Sequence, residues 1–473
     1  MKSEGKQKGS ITVFLSLVLL ILISILAQVM QEAMFQADRI KLFSAMDVSL
    51  NAVLGEYCTE LVEQYGVFFL EASDENGVFD KENITSRLDY YMYKNIQEQS
   101  GMLQMQLIDT KITKFMLATD YDGTVFLKEA VEAYQEKLAA GIIETALEQS
   151  EKYETAKKSR KTMEENQVEP SALEIPQDIE VDAEEKEKAE KVVNPVEVIE
   201  TLKANTLLGI VAGDLDVSSN SIDISTTLQR RKVNQGNAGK REKVSVSDKV
   251  VFDLYLKDQF SYFGNEKRKD DSTSLKYEIE YLISGKAGDK ANLTEVLEKI
   301  IWMREGINFV YLLTDKVKTA EAETLATALV GYTGIVPLVT AMKFAILTVW
   351  AYGESLLEVR ILLTGGNVDF TKSKDNWKLE LSELANIAQI IKGKSKGDEN
   401  GLSYEDYLWV LLSASSTKNK CYRSMDLIEK RVQNITNVNS FHMDSCVAYA
   451  EGEASAVSRC GREITVLKGI EYW

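Results

Sequence analysis

The chain has one histidine, four cysteines and four prolines among its 473 residues, and each scarcity removes a class of function. A single imidazole, His442, excludes the H-E-x-x-H zinc motif and any metal centre built on several histidines. A serine–histidine–acid triad would have to use His442, which sits in NSFHMDSC without a nucleophile elbow. There is no C-x-x-C pair and no G-x-G-x-x-G after a strand, so redox and dinucleotide chemistry lack their signatures. The shortage of proline disfavours a proline-rich, wall-spanning stalk. Positive charge is also short: 55 basic residues face 73 acidic ones, a net charge of −18. That balance argues against nucleic acid or an anionic membrane surface as partner. No catalytic residue, metal ligand, cofactor or small-molecule substrate is expected.

What the chain does have begins at its start. Ile11–Met30 reads ITVFLSLVLLILISILAQVM, twenty residues without a charge. At about 1.5 Å per residue such a helix matches a bilayer core of roughly 30 Å. Its polar members are Thr12, Ser16, Ser24 and Gln28, and the hydroxyls can bond back to their own helix. Lys2, Lys6 and Lys8 precede it against a lone Glu4, a basic flank that stays cytoplasmic and sends the bulk outward. Two other readings compete. A cleaved secretory signal has a shorter core, of about 7–15 residues, and a small-residue cleavage site, for which Ile25-Leu26-Ala27 is a poor fit. A buried core helix rarely runs uncharged for this length at a terminus. The expectation is a retained, single-pass anchor in the cell membrane.

Beyond Met30 the pattern turns amphipathic. Met34, Ala37, Leu42, Met46, Leu50, Val53, Tyr57, Leu61 and Tyr65 recur every three to five residues, with charges between them. A continuous helix from Ile11 to Tyr65 would be about 80 Å long. Helices are predicted over Ser86–Gln99, Val125–Lys158, Pro195–Ala212, Leu293–Val330, Leu338–Leu363, Leu379–Ile391 and Arg423–Val432. Leu103–Ala118 alternates as a strand, closed by the turn Asp120-Tyr121-Asp122-Gly123. The stretch LKYEIEYLISG from Leu275 also reads as a strand, Lys243–Phe263 is ambiguous between helix and strand, and the tail around Cys446 and Cys460 reads as strand and loop. Ser403 with Asp406 forms a capping-box pattern. Residues 159–194 are acidic, lysine-rich and without an aromatic residue, so they read as a flexible insertion.

The fold class expected is α+β and helix-rich. A long transmembrane and amphipathic helix leads into a mixed extracytoplasmic body with antiparallel strands and a carboxyl-terminal helical core. The expected divisions are a cytoplasmic flank at 1–10, a span at 11–30, a first lobe at 31–158, the insertion at 159–194 and a second lobe at 195–473.

Candidate sites carry bland alternatives. Asp214, Asp216, Ser218 and Asn220 have the spacing of half a calcium loop, but Ser219 and Ser225 stand where glycine and glutamate are needed, so a polar loop is expected. Gly285–Lys290 lacks the phosphate-loop spacing and reads as a turn. Ile335–Leu363 is apolar enough for a second span. Lys343 would cost up to about 2.5–3.5 kcal/mol there, so a buried helix is expected instead. Its Glu354 and Glu358, one turn apart, suit either a carboxylate pair for hydrolysis or an internal ion-pair network, the commoner use. Cys58, Cys421, Cys446 and Cys460 allow two disulfides in three connectivities, or four buried thiols.

The stretch Lys8-Gly9-Ser10-Ile11-Thr12-Val13-Phe14-Leu15-Ser16-Leu17 resembles the amino terminus of TadE/TadG-like pseudopilins of bacterial tight-adherence (Flp-type) pilus systems. Segments such as LGEYCTELVEQYGVFFL, MREGINFVYLLTDKVKTAEAETLATAL and ILTVWAYGESLLEVRILL are similar to an uncharacterised Gram-positive family found with such pilus genes. The resemblance implies a prepilin-like processing point at Gly9 and Ser10. Phe14 departs from the pattern, since prepilins usually carry glutamate there. It further implies a non-enzymatic, pseudopilin-like component whose partners are the bilayer, through Ile11–Met30, and other pilus or secretion-assembly proteins. The alternative is a membrane-tethered binding or adhesion module.

Overall fold

The computed structural model describes residues 5–74, 77–96, 105–135, 137–138, 142–176, 183–239, 243–267, 275–393 and 397–472. In chain order, the first half holds α1 (Gly5–Leu54), α2 (Thr59–Tyr65), β1 (Leu70–Glu71), α3 (Lys81–Ile96), β2 (Gln106–Leu117), α4 (Asp120–Gln135), α5 (Ile142–Glu165), α6 (Ala183–Glu190), α7 (Pro195–Lys203) and α8 (Leu207–Val211). The second half holds α9 (Val246–Gln259), α10 (Glu278–Ser284), α11 (Asp289–Thr314), α12 (Lys316–Val330), α13 (Val336–Leu363), α14 (Ile387–Gly393), α15 (Tyr404–Ala414), α16 (Thr417–Thr436), β3 (Cys446–Val457) and β4 (Glu463–Glu471). Among the described residues the protein is helix-rich with one small antiparallel sheet, as expected.

Two compact units form, and both are discontinuous in sequence. Unit 1 gathers residues 1–133, 232–243 and 432–473; unit 2 gathers 134–231 and 244–431. The linear division expected at 158 and 195 does not follow these units. The reason is the sheet of unit 1, whose central strand comes from the far end of the chain.

In unit 1, β3 pairs antiparallel with β2 on one edge, and with β4 and the short β1 on the other. Ile112 and Phe115 of β2 and Ala450 and Ala454 of β3 face a core completed by α1 and α3. From α1 come Leu42, Met46, Leu50 and Val53, all fully buried. Their three- and four-residue spacing puts them on one face. At Gly452 the sheet comes close to α1, since an added Cβ would lie 2.2 Å from Met46 Cε. The helix expected to continue to Tyr65 stops at Leu54: the chain turns at Gly55, and Cys58 N donates to Phe69 O at 2.9 Å before α2 starts. After β2, Tyr121, Asp122 and Gly123 all take positive φ, the turn expected there. Asp120 fixes this turn by accepting Leu117 N at 2.8 Å and Gly236 N at 2.9 Å.

Unit 2 is helical. The single helix expected over Leu293–Val330 divides at Asp315, whose carboxylate accepts Val317 N and Lys318 N and so caps α12. The one expected over 125–158 divides into α4 and α5, part of the break lying outside the described residues. The strand expected from Leu275 is helix α10. Its E-I-E alternation misleads because Glu278 and Glu280 are both buried, accepting Ser261 N and Phe263 N. The ambiguous Lys243–Phe263 holds helix α9, opened by a capping box between Ser245 and Asp248. The capping box expected at Ser403 and Asp406 is present at the start of α15. Residues 159–194, expected as flexible, hold the end of α5, a 3-10 turn at Pro170–Leu173 and α6, while 177–182 lie outside the described residues. Residues 97–99 and 103–104, the ends of two predicted elements, also lie outside them.

Candidate functional site

The first feature with functional meaning is the outer half of α1. Fifty residues at about 1.5 Å each make a rod of about 75 Å. Its most apolar stretch has a mean hydropathy of 2.8 and none of it is buried. Phe14, Leu15 and Leu20 stand 68, 67 and 64% exposed, which water would penalise heavily and hydrocarbon would not. Ser16 Oγ donates to Val13 O at 2.8 Å and Ser24 Oγ to Leu20 O at 2.9 Å, so both hydroxyls are satisfied within the helix. Charges resume at Glu32, which pairs with Arg462 at 2.8 Å, and at Asp38, which is buried and held by Arg459 at 2.7 Å. The apolar rod therefore ends where α1 begins to pack on its own unit. Gly9 and Ser10 lie in the first turns of α1; Lys2 and Glu4 of the basic flank lie outside the described residues.

The second feature is the carboxylate pair on α13. Glu354 and Glu358 are both fully buried. Glu358 receives a two-pronged bond from Arg304 of α11, Nε at 2.9 Å and Nη2 at 2.7 Å, with Asn308 Nδ2 at 2.9 Å. Lys372 lies between the two acids, 2.6 Å from Glu354 and 2.7 Å from Glu358. Glu354 also accepts Lys378 N and Leu379 N. Arg304 Nη1 donates to Asp369 O, Phe370 O and the Tyr407 hydroxyl, and Nη2 also reaches Asn308 Oδ1 at 3.4 Å. Two cations thus balance two anions in a sealed site, stitching α11, α13, α15 and the 369–379 loop together. Burial raises the Glu358 pKa, but Arg304 and Lys372 outweigh it and hold the carboxyl at about 2. For Glu354, burial and the neighbouring Glu358 win over Lys372, and its pKa is raised.

Around this knot, Trp350 and Trp377 meet edge to face at 5.7 Å, both donating to Leu379 O. Lys318 sits over both rings at 4.7 and 5.0 Å. Every oxygen of the two glutamates has a donor and neither touches solvent, which is the geometry of a structural ion-pair network rather than of general acid–base catalysis. The sequence offered Glu354 and Glu358 by their spacing. It gave no sign of Arg304 or Lys372, which reach them from another helix and a loop.

The other candidate residues disperse. Asp214 of the calcium-like loop is taken by Arg360 in a two-pronged pair at 2.7 Å, and Ser218 donates to Asp289 at 2.6 Å, so this loop is tied to its own unit. Cys58, Cys421, Cys446 and Cys460 are all free thiols, and burial pushes the Cys58 thiol up to about 12, away from reactive thiolate. His442 precedes the 3-10 turn Met443–Ser445, its carbonyl accepting Ser445 N at 3.0 Å. Half of the apolar window of α13 is buried, with Trp350, Leu356 and Ile361 fully enclosed, as expected of a core helix. Unit 2 also carries an apolar groove of about 1080 Å3 whose walls include Pro195, Val317, Ala320, Leu325 and Leu381.

A family model described as "Family of unknown function (DUF5702)" matches residues 184–458. No curated protein and no solved structure matches the chain.

Proposed function

We propose that this chain, which belongs to the DUF5702 family, is a non-enzymatic, single-pass membrane protein serving as a structural component of an extracytoplasmic assembly. The observation that carries the reading is the outer half of α1: a bilayer-length apolar rod, uncovered on every side, fused without a break to a face that packs in unit 1. The basic flank favours a cytoplasmic amino terminus with both units outside. The scarcity of histidine and the saturated Glu354/Glu358 pair support a role without catalysis. The resemblance of Lys8–Leu17 to pseudopilins supports a place in a tight-adherence pilus or a related secretion system, with other assembly proteins as partners.

The test replaces Ile11–Met30 with an unrelated span of equal length and recovers the complex after gentle solubilisation. Loss of co-purifying assembly proteins with membrane attachment intact is the expected result. Unchanged complexes would show the rod to be a tether only. That outcome favours the second reading, a membrane-tethered binding module, for which the apolar groove of unit 2 is the specific support. External protease on wall-stripped cells should digest both units; their full protection would overturn the topology.

A further inference from the structure

Unit 2 contains a smaller cavity, of about 320 Å3, that the proposed role does not use. Its walls include Tyr153, Lys299, Trp302, Asn419 and Arg423. It is cationic in a chain of net charge −18.

Arg423 is the centre of that charge. Its Nη1 donates to Leu282 O at 2.8 Å, while its Nε is enclosed and has no acceptor. The guanidinium lies against Gly285, where an added Cβ would come within 2.4 Å of Nη2. Among the described residues no carboxylate reaches it within ion-pair distance, and burial lowers its pKa. A half-buried guanidinium with donors to spare is a costly thing to leave unmatched.

The acids around it are already engaged. Glu295 is shared by Lys286 at 3.1 Å and Lys299 at 3.0 Å. Asp426 accepts Leu228 N and the Tyr281 hydroxyl, and burial pushes its pKa up to about 7, which removes part of its charge. Three cations therefore face one full and one partial anion. Asn419 Oδ1 accepts from Gln229 Nε2 at 3.1 Å, which leaves the Asn419 amide hydrogens as further donors. The Tyr153 and Trp302 rings lie 6.3 Å apart and tilted by 31°, giving the cavity an aromatic wall.

We propose that this cavity binds a small organic oxyanion, a flat ring bearing a carboxylate or a phosphate, with the anion on Arg423 and Asn419 and the ring against Trp302. The guanidinium fork matches either oxyanion in a two-pronged contact, and an aromatic wall rewards a flat body. The volume sits at the small end of ligand sites, which limits the ligand to about the size of a substituted ring.

The test uses the full chain in detergent micelles and isothermal titration calorimetry with phenyl phosphate, benzoate and inorganic phosphate. Saturable binding of one or both aromatic probes, with Kd of about 1 mM or tighter, is expected, and the better of the two identifies the anion. Arg423→Gln should weaken both by at least about tenfold. Trp302→Ala should weaken them by about fivefold while leaving inorganic phosphate unchanged. If Arg423→Gln fails to fold by circular dichroism, Trp302→Ala decides. No saturable binding of either aromatic probe, or equal affinity in wild type and variant, overturns the proposal. Inorganic phosphate binding as tightly as phenyl phosphate overturns the role of the ring.

Discussion

Replacing Arg304 by methionine tests the reading of the Glu354/Glu358 pair. In the wild type Arg304 and Lys372 balance two carboxylates in a site with no exposed side chain. Arg304→Met leaves two buried acids on one lysine and strands the acceptors at Asp369 O and Phe370 O. Removing one partner of a buried pair costs about 3–5 kcal/mol, a large share of the roughly 5–15 kcal/mol that holds a domain folded. Urea unfolding followed by tryptophan fluorescence reads this directly, because Trp350 and Trp377 flank the site.

The double variant Arg304→Met/Glu358→Leu restores one cation to one anion, and Asn308 keeps its bond to Ser355. It should recover at least about 1 kcal/mol relative to the single variant. The pH dependence supplies a sign. Glu358 has a depressed pKa in the fold, so its contribution is present above the ordinary glutamate range and lost as pH falls toward about 2. Glu354, with a raised pKa, opposes this: its contribution is present at low pH and lost as pH rises. In Arg304→Met the two acids share Lys372 and one takes up a proton, so that variant should regain stability as pH is lowered from neutrality. A cost below about 1 kcal/mol, or simple additivity of the two substitutions, would refute a coupled structural network.

Three further outcomes follow from other sites. Leu20→Arg, at the middle of the apolar rod, should add about 2.5–3.5 kcal/mol to membrane insertion and shift protein out of the membrane fraction, whereas Leu20→Ala should not. Ser403→Ala removes the hydroxyl that caps α15 by accepting Asp406 N, and should cost about 1 kcal/mol in urea unfolding. Burial pushes the Glu280 carboxyl up to about 7, although it accepts Phe263 N and the Tyr404 hydroxyl. Its stabilisation is therefore complete below the ordinary glutamate range and fades as pH rises through about 7. Thermal melts at about pH 5 and about pH 8 should show that loss, and Glu280→Gln should reduce it, Asp426 with its similarly raised pKa supplying part of the remainder.

What the sequence disclosed depended on the range of the cause. The apolar run at Ile11–Met30, the turn at Asp120–Gly123 and the cap at Ser403 are local, and residue type or spacing reveals them. The strand predicted from Leu275 failed because alternation ordinarily means one wet face, and here Glu278 and Glu280 are drawn inward by backbone donors at Ser261 and Phe263. Arg304 and Lys372 were invisible for a related reason: their partners are remote in sequence, and a lone charge on an apolar helix carries no address. The discontinuous make-up of the two units was not legible, because composition marks linkers but not which distant segments pair. The acidic stretch at 159–194 has the composition of a linker, yet the helix running into it packs, with Ala156 and Met163 buried.

The placement of β3 sets the order of manufacture. Translation delivers α1, α3 and β2 first, yet the strand that joins β2 to β1 and β4 is not made until Cys446–Val457 emerges, after all of unit 2 has been synthesised. Until then the faces of Leu42, Leu88 and Ile112 lack the strand that completes their core. A premature stop before Cys446 would therefore ruin the earliest-made part of the protein while sparing most of the later one.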